Sequence, residues 1–163
     1  MKTTPRVESN HQLARLLQIG VVLEEVVEAR AYEHYQRLPR SERDSRIEGF
    51  LESVRKQSAD HRKRLETLID ELDAPSVSFE EIEELVSDQY AQTRPEDFDG
   101  ILYDQLHGEE TSYKYYDDLI GAIEESEEEF RIERDRVLSV LRSIREEEAA
   151  GVGRIADLME DRA

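Results

Sequence analysis

Residues 9–38 read SNHQLARLLQIGVVLEEVVEARAYEHYQRL, and this stretch carries the pattern that decides the fold. Its apolar residues recur at the three- and four-residue spacing of an amphipathic helix. One helical face therefore holds an apolar stripe, which consists of Leu13, Leu16, Leu17, Gly20, Val27, Ala31 and Leu38. Pro39 disfavours helical backbone at the residue before it and so ends the helix. The stretch predicts a long helix with one buried face.

Three later stretches show the same apolar spacing, and we predict helices over residues 41–72, 96–123 and about 129–159. The longest connection, residues 74–97, lies between the second and third helices and contains a short amphipathic helix near residues 79–90. The other two connections are short turns. Four-helix bundles with one long crossover at this position are of the ferritin-like kind. The predicted fold class is all-α, a ferritin-like four-helix bundle with a long crossover.

The length and composition fit a single acidic domain. The 163 residues suit one domain, with residues 1–8 as a flexible N-terminus and residues 9–163 as the bundle. The 22 basic and 40 acidic residues give a net charge of −18. This charge repels phosphate backbones and anionic lipids, so we expect neither nucleic-acid nor membrane binding. Acidic excess with scarce lysine is typical of halophilic surfaces, where salt screens the repulsion between carboxylates.

The sequence lacks cysteine and lacks membrane-spanning and signal-peptide patterns, which limits the possible chemistry and cellular location. Cysteine does not occur in the sequence, which excludes disulfides, thiolate metal sites and cysteine nucleophiles. No apolar stretch approaches the roughly 20 residues of a membrane span, and no signal-peptide pattern is present. We therefore expect a cytoplasmic protein.

Polar residues interrupt the apolar stripe of every predicted helix. Glu24 and Glu28 lie on the stripe of the first helix, Ser58 and His61 on the second, and Glu109 on the third. The fourth stripe is interrupted by Glu148 and Gly151. Five of these side chains, Glu24, Glu28, His61, Glu109 and Glu148, could bind a metal ion.

These interruptions also lie at one height in the bundle. In an antiparallel helix pair, residues at the same level are about equally distant from the connecting turn. The midpoint of residues 28 and 58 is residue 43, and the midpoint of residues 109 and 148 is 128.5. Both midpoints fall at predicted turns, so the sequence predicts a polar site inside the bundle.

Buried carboxylates that lack a positive or protonated partner cost several kcal/mol each. One hypothesis is that a metal ion accompanies them. The alternative is a hydrogen-bonded network of Glu, His and Tyr side chains with His61 protonated.

The segment LEEVVEARAYEHYQRL, residues 23–38, resembles the first helix of rubrerythrin-like proteins of the ferritin-like superfamily. Those proteins hold two iron ions with one Glu from each of two helices and a Glu-x-x-His motif from each of the other two. They also place a Tyr seven residues after the single Glu. The chain matches this spacing twice, in Glu28 with Tyr35 and in Glu109 with Tyr116.

The resemblance implies a ligand set of Glu28, His61, Glu109 and Glu148, with Tyr35, Tyr116 and Ser58 beside the ligands. Two ligands of the family pattern are replaced, because Ser58 stands where a Glu is expected and Gly151 where a His is expected. Glu24, one turn before Glu28, could substitute for a lost oxygen ligand.

The family's chemistry implies an altered di-iron carboxylate site. Such a site would hold one or two ions of iron, manganese or zinc and serve iron or oxidative-stress handling. The alternative is a bundle that kept the fold but serves as a binding or scaffold protein without metal.

The first helix is apolar on a second side, through Ile19, Val22 and Val26. Either the crossover covers this side, or it forms a homodimer interface; we favour a homodimer, and a different protein partner is also open.

Overall fold

The computed structural model describes residues 6–43, 45–73 and 98–161. This part of the chain forms four long helices and one short 3₁₀ turn, Arg40–Glu42, and contains no strand. The helices are α1 (Asn10–Arg37), α2 (Ser45–Leu72), α3 (Phe98–Glu124) and α4 (Arg134–Asp161). Within these described residues, the predicted all-α class with four long helices is confirmed. The crossover at residues 74–97, with its predicted short helix, lies outside the described residues.

Local chemistry explains where α1 begins and ends. The Ser9 hydroxyl caps the helix by accepting a hydrogen bond from the Gln12 N–H. Leu38 has extended backbone angles, as expected for the residue before a proline, and the helix ends there. The Arg43 guanidinium then donates to the Leu38 carbonyl at 2.9 Å. These contacts fix the direction in which the chain leaves α1.

The turn between α3 and α4 is held in a similar way. The Arg134 guanidinium donates to the carbonyls of Ile123, Ser126 and Glu128. Arg131 donates to the Leu72 and Asp73 carbonyls, at 3.2 and 2.7 Å, and so ties this turn to the end of α2. The short turn predicted between the third and fourth helices is therefore organised around arginine donors.

Contacts between the helix pairs fix the direction of each helix. On α1 and α3, the Leu16 carbonyl accepts from Tyr115 near one end, and Arg30 pairs with Asp104 near the other. On α2 and α4, Glu71 pairs with Arg136 at one end, whereas Arg154 donates to Ser53 at the other. Both pairs are antiparallel. Since α1 and α2 are also antiparallel, α2 and α3 run in the same direction, so α2 ends and α3 begins at opposite ends of the bundle.

The apolar core consists of two halves. One half lies toward the α3–α4 turn and includes Leu17, Leu65, Ile120 and Leu141. The other lies toward the α1–α2 turn and includes Ala31, Val54, Leu102 and Ile155. Between them lies a set of buried polar side chains, which we call the polar layer: Glu24, Ser58, His61, Glu109, Ser112 and Glu148. The bundle thus places polar residues from all four helices at one height.

Three further expectations concern the N-terminal residues, the second apolar side of α1 and membrane-spanning helices. Of the N-terminal residues predicted to be flexible, Val7 is buried, and its N–H donates to the Ala122 carbonyl. Val22 and Leu23, on the second apolar side of α1, are buried within the single chain and pack with Ile19 and Val26. The homodimer through this side stays a prediction. None of the described helices has an apolar stretch long enough to cross a membrane.

Candidate metal centre

Three side chains of the polar layer bring possible metal ligands together. Glu24 of α1, His61 of α2 and Glu148 of α4 form what we call the ligand trio, and all three are buried. The His61 Nδ1 atom lies 3.2 Å from the Glu24 Oε1 atom and 3.2 Å from the Glu148 Oε1 atom. One ligand atom from each residue lies within 4.8 Å of the others. One imidazole and two carboxylates suit divalent ions such as iron, manganese and zinc.

The imidazole ring of His61 is held from its other side. Its Nε2 atom donates to the Glu147 Oε2 atom at 2.9 Å, and the Arg64 guanidinium donates to both oxygens of the same carboxylate. This contact leaves Nδ1 directed at Glu24 and Glu148. A carboxylate on the remote nitrogen is a common partner of metal-binding histidines, because it fixes the ring orientation and raises its basicity.

Glu147 was not among the residues predicted for the site, because its side chain is 41% exposed and lies on the flank of α4 rather than on the apolar stripe. The available signal was its position immediately before Glu148.

Tyr116 orients Glu24 from α3. Its hydroxyl donates to the Glu24 Oε1 atom at 2.6 Å, and the side chain is fully buried. Gly20, one turn before Glu24, leaves space for Leu65, since a Cβ there would lie 3.1 Å from Leu65 Cδ1, whereas its distance of 3.6 Å from Tyr116 Cε1 would be an ordinary contact. Tyr116 therefore lies where a residue beside the ligands was expected.

Glu109 occupies the remaining side of the layer and lies against α4. A Cβ added to Gly151 would be 2.8 Å from the Glu109 Oε2 atom and 3.2 Å from its Oε1 atom. The carboxyl group thus fills the space that any larger residue at position 151 would need. Glu109 also shares a hydrogen bond with Glu148.

Several oxygens of the polar layer have no hydrogen-bond partner. Among the described residues, the Glu24 Oε2, Glu109 Oε2 and Ser112 Oγ atoms are buried and unpartnered. Buried polar atoms are nearly always satisfied, and leaving one unsatisfied costs about 1–3 kcal/mol. A cation bound between Glu24 and Glu148 would supply the missing partner of Glu24. The residues present therefore fit a divalent metal ion.

Burial is the largest influence on the pKa values of the side chains in the polar layer. Burial, then the charge of Glu24 and the contact with Glu109, raise the pKa of Glu148 well above its usual range. Burial raises the pKa of Glu109 as well. Burial opposes the charged form of His61, but Glu24 and Glu147 outweigh it and raise the pKa of the imidazole. The layer therefore holds protons more tightly than free carboxyl and imidazole groups do, and a metal ion would compete with those protons.

Two residues predicted for the site lie elsewhere. Glu28 is only partly buried, and its Oε2 atom accepts a hydrogen bond from Arg62 at 3.0 Å. Tyr35 is half-buried, with the Arg43 guanidinium 5.0 Å from its ring centre. The structure brings together Glu24, His61, Glu109, Glu148, Tyr116 and Ser58. The α1 carboxylate of the layer is Glu24, one turn earlier than the family pattern implied.

Comparison of the chain with protein-family models, characterised proteins and solved structures finds no match. The relationship to rubrerythrin-like proteins stays a hypothesis. Over the described residues, the structure establishes four long α-helices without a strand and a buried Glu24–His61–Glu148 group that could hold a metal ion.

Proposed function

We propose that this protein is a ferritin-like, rubrerythrin-related cytoplasmic bundle that binds iron, manganese or zinc and serves iron or oxidative-stress handling. One observation carries the proposal. Helices α1, α2 and α4 bring together a buried imidazole nitrogen and two buried carboxylates. The Glu24 Oε2 atom at this place has no hydrogen-bond partner. Without a cation, this arrangement leaves a polar atom unsatisfied in a dry interior.

Each residue has a definable part in such a site. The carboxylates of Glu24 and Glu148 would neutralise the ion, and the His61 Nδ1 atom would complete the trio. Tyr116 orients Glu24 through its hydroxyl, and Glu147 orients His61 through Nε2. The apolar halves of the core exclude bulk water on both sides. A bound iron or manganese ion would supply redox chemistry toward oxygen or peroxide.

The metal content of the purified protein tests this proposal. We expect bound metal after growth with added iron or manganese, and loss of that metal in Glu24→Gln. Glu25→Gln is the matched control, because Glu25 is the next residue of α1 but lies on the flank, 3.9 Å from Arg62. Trace metal that is the same in the wild type and in Glu24→Gln would reject the proposal.

The second candidate is a scaffold or binding protein without metal. It is favoured by the contacts of His61, whose ring nitrogens face three carboxylates and can pair with them when protonated. Thermal unfolding separates the two candidates. An ion at 100 times its dissociation constant stabilises the folded state by about 2.7 kcal/mol. A scaffold's midpoint temperature would not respond to added metal or to a chelator.

A further inference from the structure

We infer that the polar layer binds a single divalent ion per chain. Glu109 packs against Glu148 in this layer and does not bind a second ion. This inference rests on the proposed function and specifies how much metal the site holds. It follows from the contact between Glu109 and Gly151, from the donors available on α2, and from the charges in the layer.

The position of Glu109 carries the first step. Its two carboxyl oxygens lie 2.8 and 3.2 Å from the point where a Cβ of residue 151 would be. The group therefore rests on the backbone of α4, in the volume that a side chain at residue 151 would fill. It is hydrogen-bonded to Glu148 and is not part of the ligand trio. The side of Glu148 away from His61 is thus occupied by protein.

The layer also lacks the ligands that a second ion would need. Ser58, one turn before His61, is buried in the layer but offers a hydroxyl in place of a carboxylate. Glu28 is drawn to the flank by Arg62, at 3.0 Å. Among the described residues, the only group of three or more His, Asp or Glu side chains with ligand atoms close together is the trio itself. A second ion would lack a ligand set of its own.

The charges in the layer also disfavour a second ion. The two carboxylates of the trio balance one divalent ion. A second ion would add two positive charges to the same buried layer, and Glu109, the one further carboxylate there among the described residues, could balance only one of them. Uncompensated charge in a dry interior costs several kcal/mol. A single ion leaves the layer neutral, because the hydrogen bond from Glu109 to an ionised Glu148 requires a proton on Glu109.

The test is the metal stoichiometry of the full chain, measured by equilibrium dialysis with Mn²⁺ alone and elemental analysis against quantitative amino-acid analysis. We expect one Mn²⁺ per chain, with an electron paramagnetic resonance spectrum of isolated rather than coupled ions. Glu109→Gln should keep this stoichiometry, with affinity changed by less than about threefold, because the amide can occupy the same space and still hydrogen-bond to Glu148. Glu110→Gln, at the exposed next position of α3, is the matched control.

Two coupled Mn²⁺ ions per chain in the wild type would overturn the inference and leave the proposed function standing. Loss of the ion in Glu109→Gln would also overturn it, since Glu109 would then be a ligand. Should that variant fail to fold, the stoichiometry and spectrum of the wild type still decide the question. No bound Mn²⁺ in the wild type would overturn both the inference and the proposed function.

Discussion

Gly151 lets the carboxyl group of Glu109 rest against α4, and substitution by alanine measures that contact. Gly153 lies in the same helix, and a Cβ there would meet nothing within 4 Å. Alanine is about 1 kcal/mol better than glycine inside a helix, so Gly153→Ala should raise the free energy of unfolding by about 0.5–1 kcal/mol. Gly151→Ala must also displace Glu109 and should be about 1–3 kcal/mol less stable than Gly153→Ala.

Urea denaturation of the two metal-free variants checks this comparison. Equal stabilisation by the two substitutions would show that Glu109 does not occupy the space over Gly151.

Glu147 should control metal affinity without binding the ion. Glu147→Ala removes the acceptor of His61 Nε2, and we expect metal affinity to fall about 10- to 100-fold. Glu147→Gln should recover most of the loss, because its amide oxygen can accept the same hydrogen bond. Glu71→Ala is the matched control: Glu71 also bridges α2 and α4, by pairing with Arg136, and takes no part in the contacts of His61. Competition with a chromophoric chelator measures the affinities; equal values for the two alanine variants would contradict this role.

A second polar contact, which is partly buried, fixes α1 against α3. Asp104 of α3 accepts two hydrogen bonds from Arg30, at 3.0 and 2.8 Å, and lies 2.9 Å from the His34 Nε2 atom. Gln105 donates to the opposite ring nitrogen of His34 at 2.7 Å. Burial alone would raise the pKa of Asp104, but the hydrogen bonds from His34 and Arg30 outweigh it and lower this pKa.

We predict that Asp104→Asn lowers the free energy of unfolding by about 1–3 kcal/mol, because it leaves His34 without its charged acceptor. The contribution of Asp104 is present above its unfolded pKa of about 3.8 and is lost as the pH falls through its lower folded value. The loss of stability on acidification should therefore be smaller in the variant. Asp117→Asn, at an exposed ion pair with Arg145, is the control. Identical acid unfolding curves for wild type and Asp104→Asn would refute the assignment.

The elements themselves could be predicted from the sequence, because the apolar spacing and the proline after α1 are local signals. The height of the site could be predicted too, since equal distances from two turns place residues at one level. The choice between Glu24 and Glu28 could not. The two residues lie one turn apart on the same stripe, and Arg62 on another helix draws Glu28 to the flank. The resting place of Glu109 depends on α4 and was equally invisible from α3 alone.

Over the whole molecule, the polar layer should make the stability of the metal-free protein depend on pH. The folded-state pKa of Glu148 is raised from 4.5 and that of His61 from 6.5. A raised folded pKa contributes stability that is present below the unfolded value and lost as the pH rises through the folded one. The metal-free protein should therefore be more stable at pH 6 than at pH 8.

Glu148→Gln removes one of these titrating groups and should flatten the pH dependence. Chemical denaturation in the presence of a chelator measures it. A metal-free wild type that is more stable at pH 8 than at pH 6 would contradict the assignment.

We propose that the two apolar halves of the bundle enclose a metal ion held by Glu24, His61 and Glu148. Anomalous diffraction from crystals of the full chain grown with Zn²⁺ would locate such an ion. We expect a peak about 2.0–2.2 Å from the His61 Nδ1 atom and from carboxylate oxygens of Glu24 and Glu148. A polar layer without a peak, with zinc bound only at surface carboxylates, would contradict the claim.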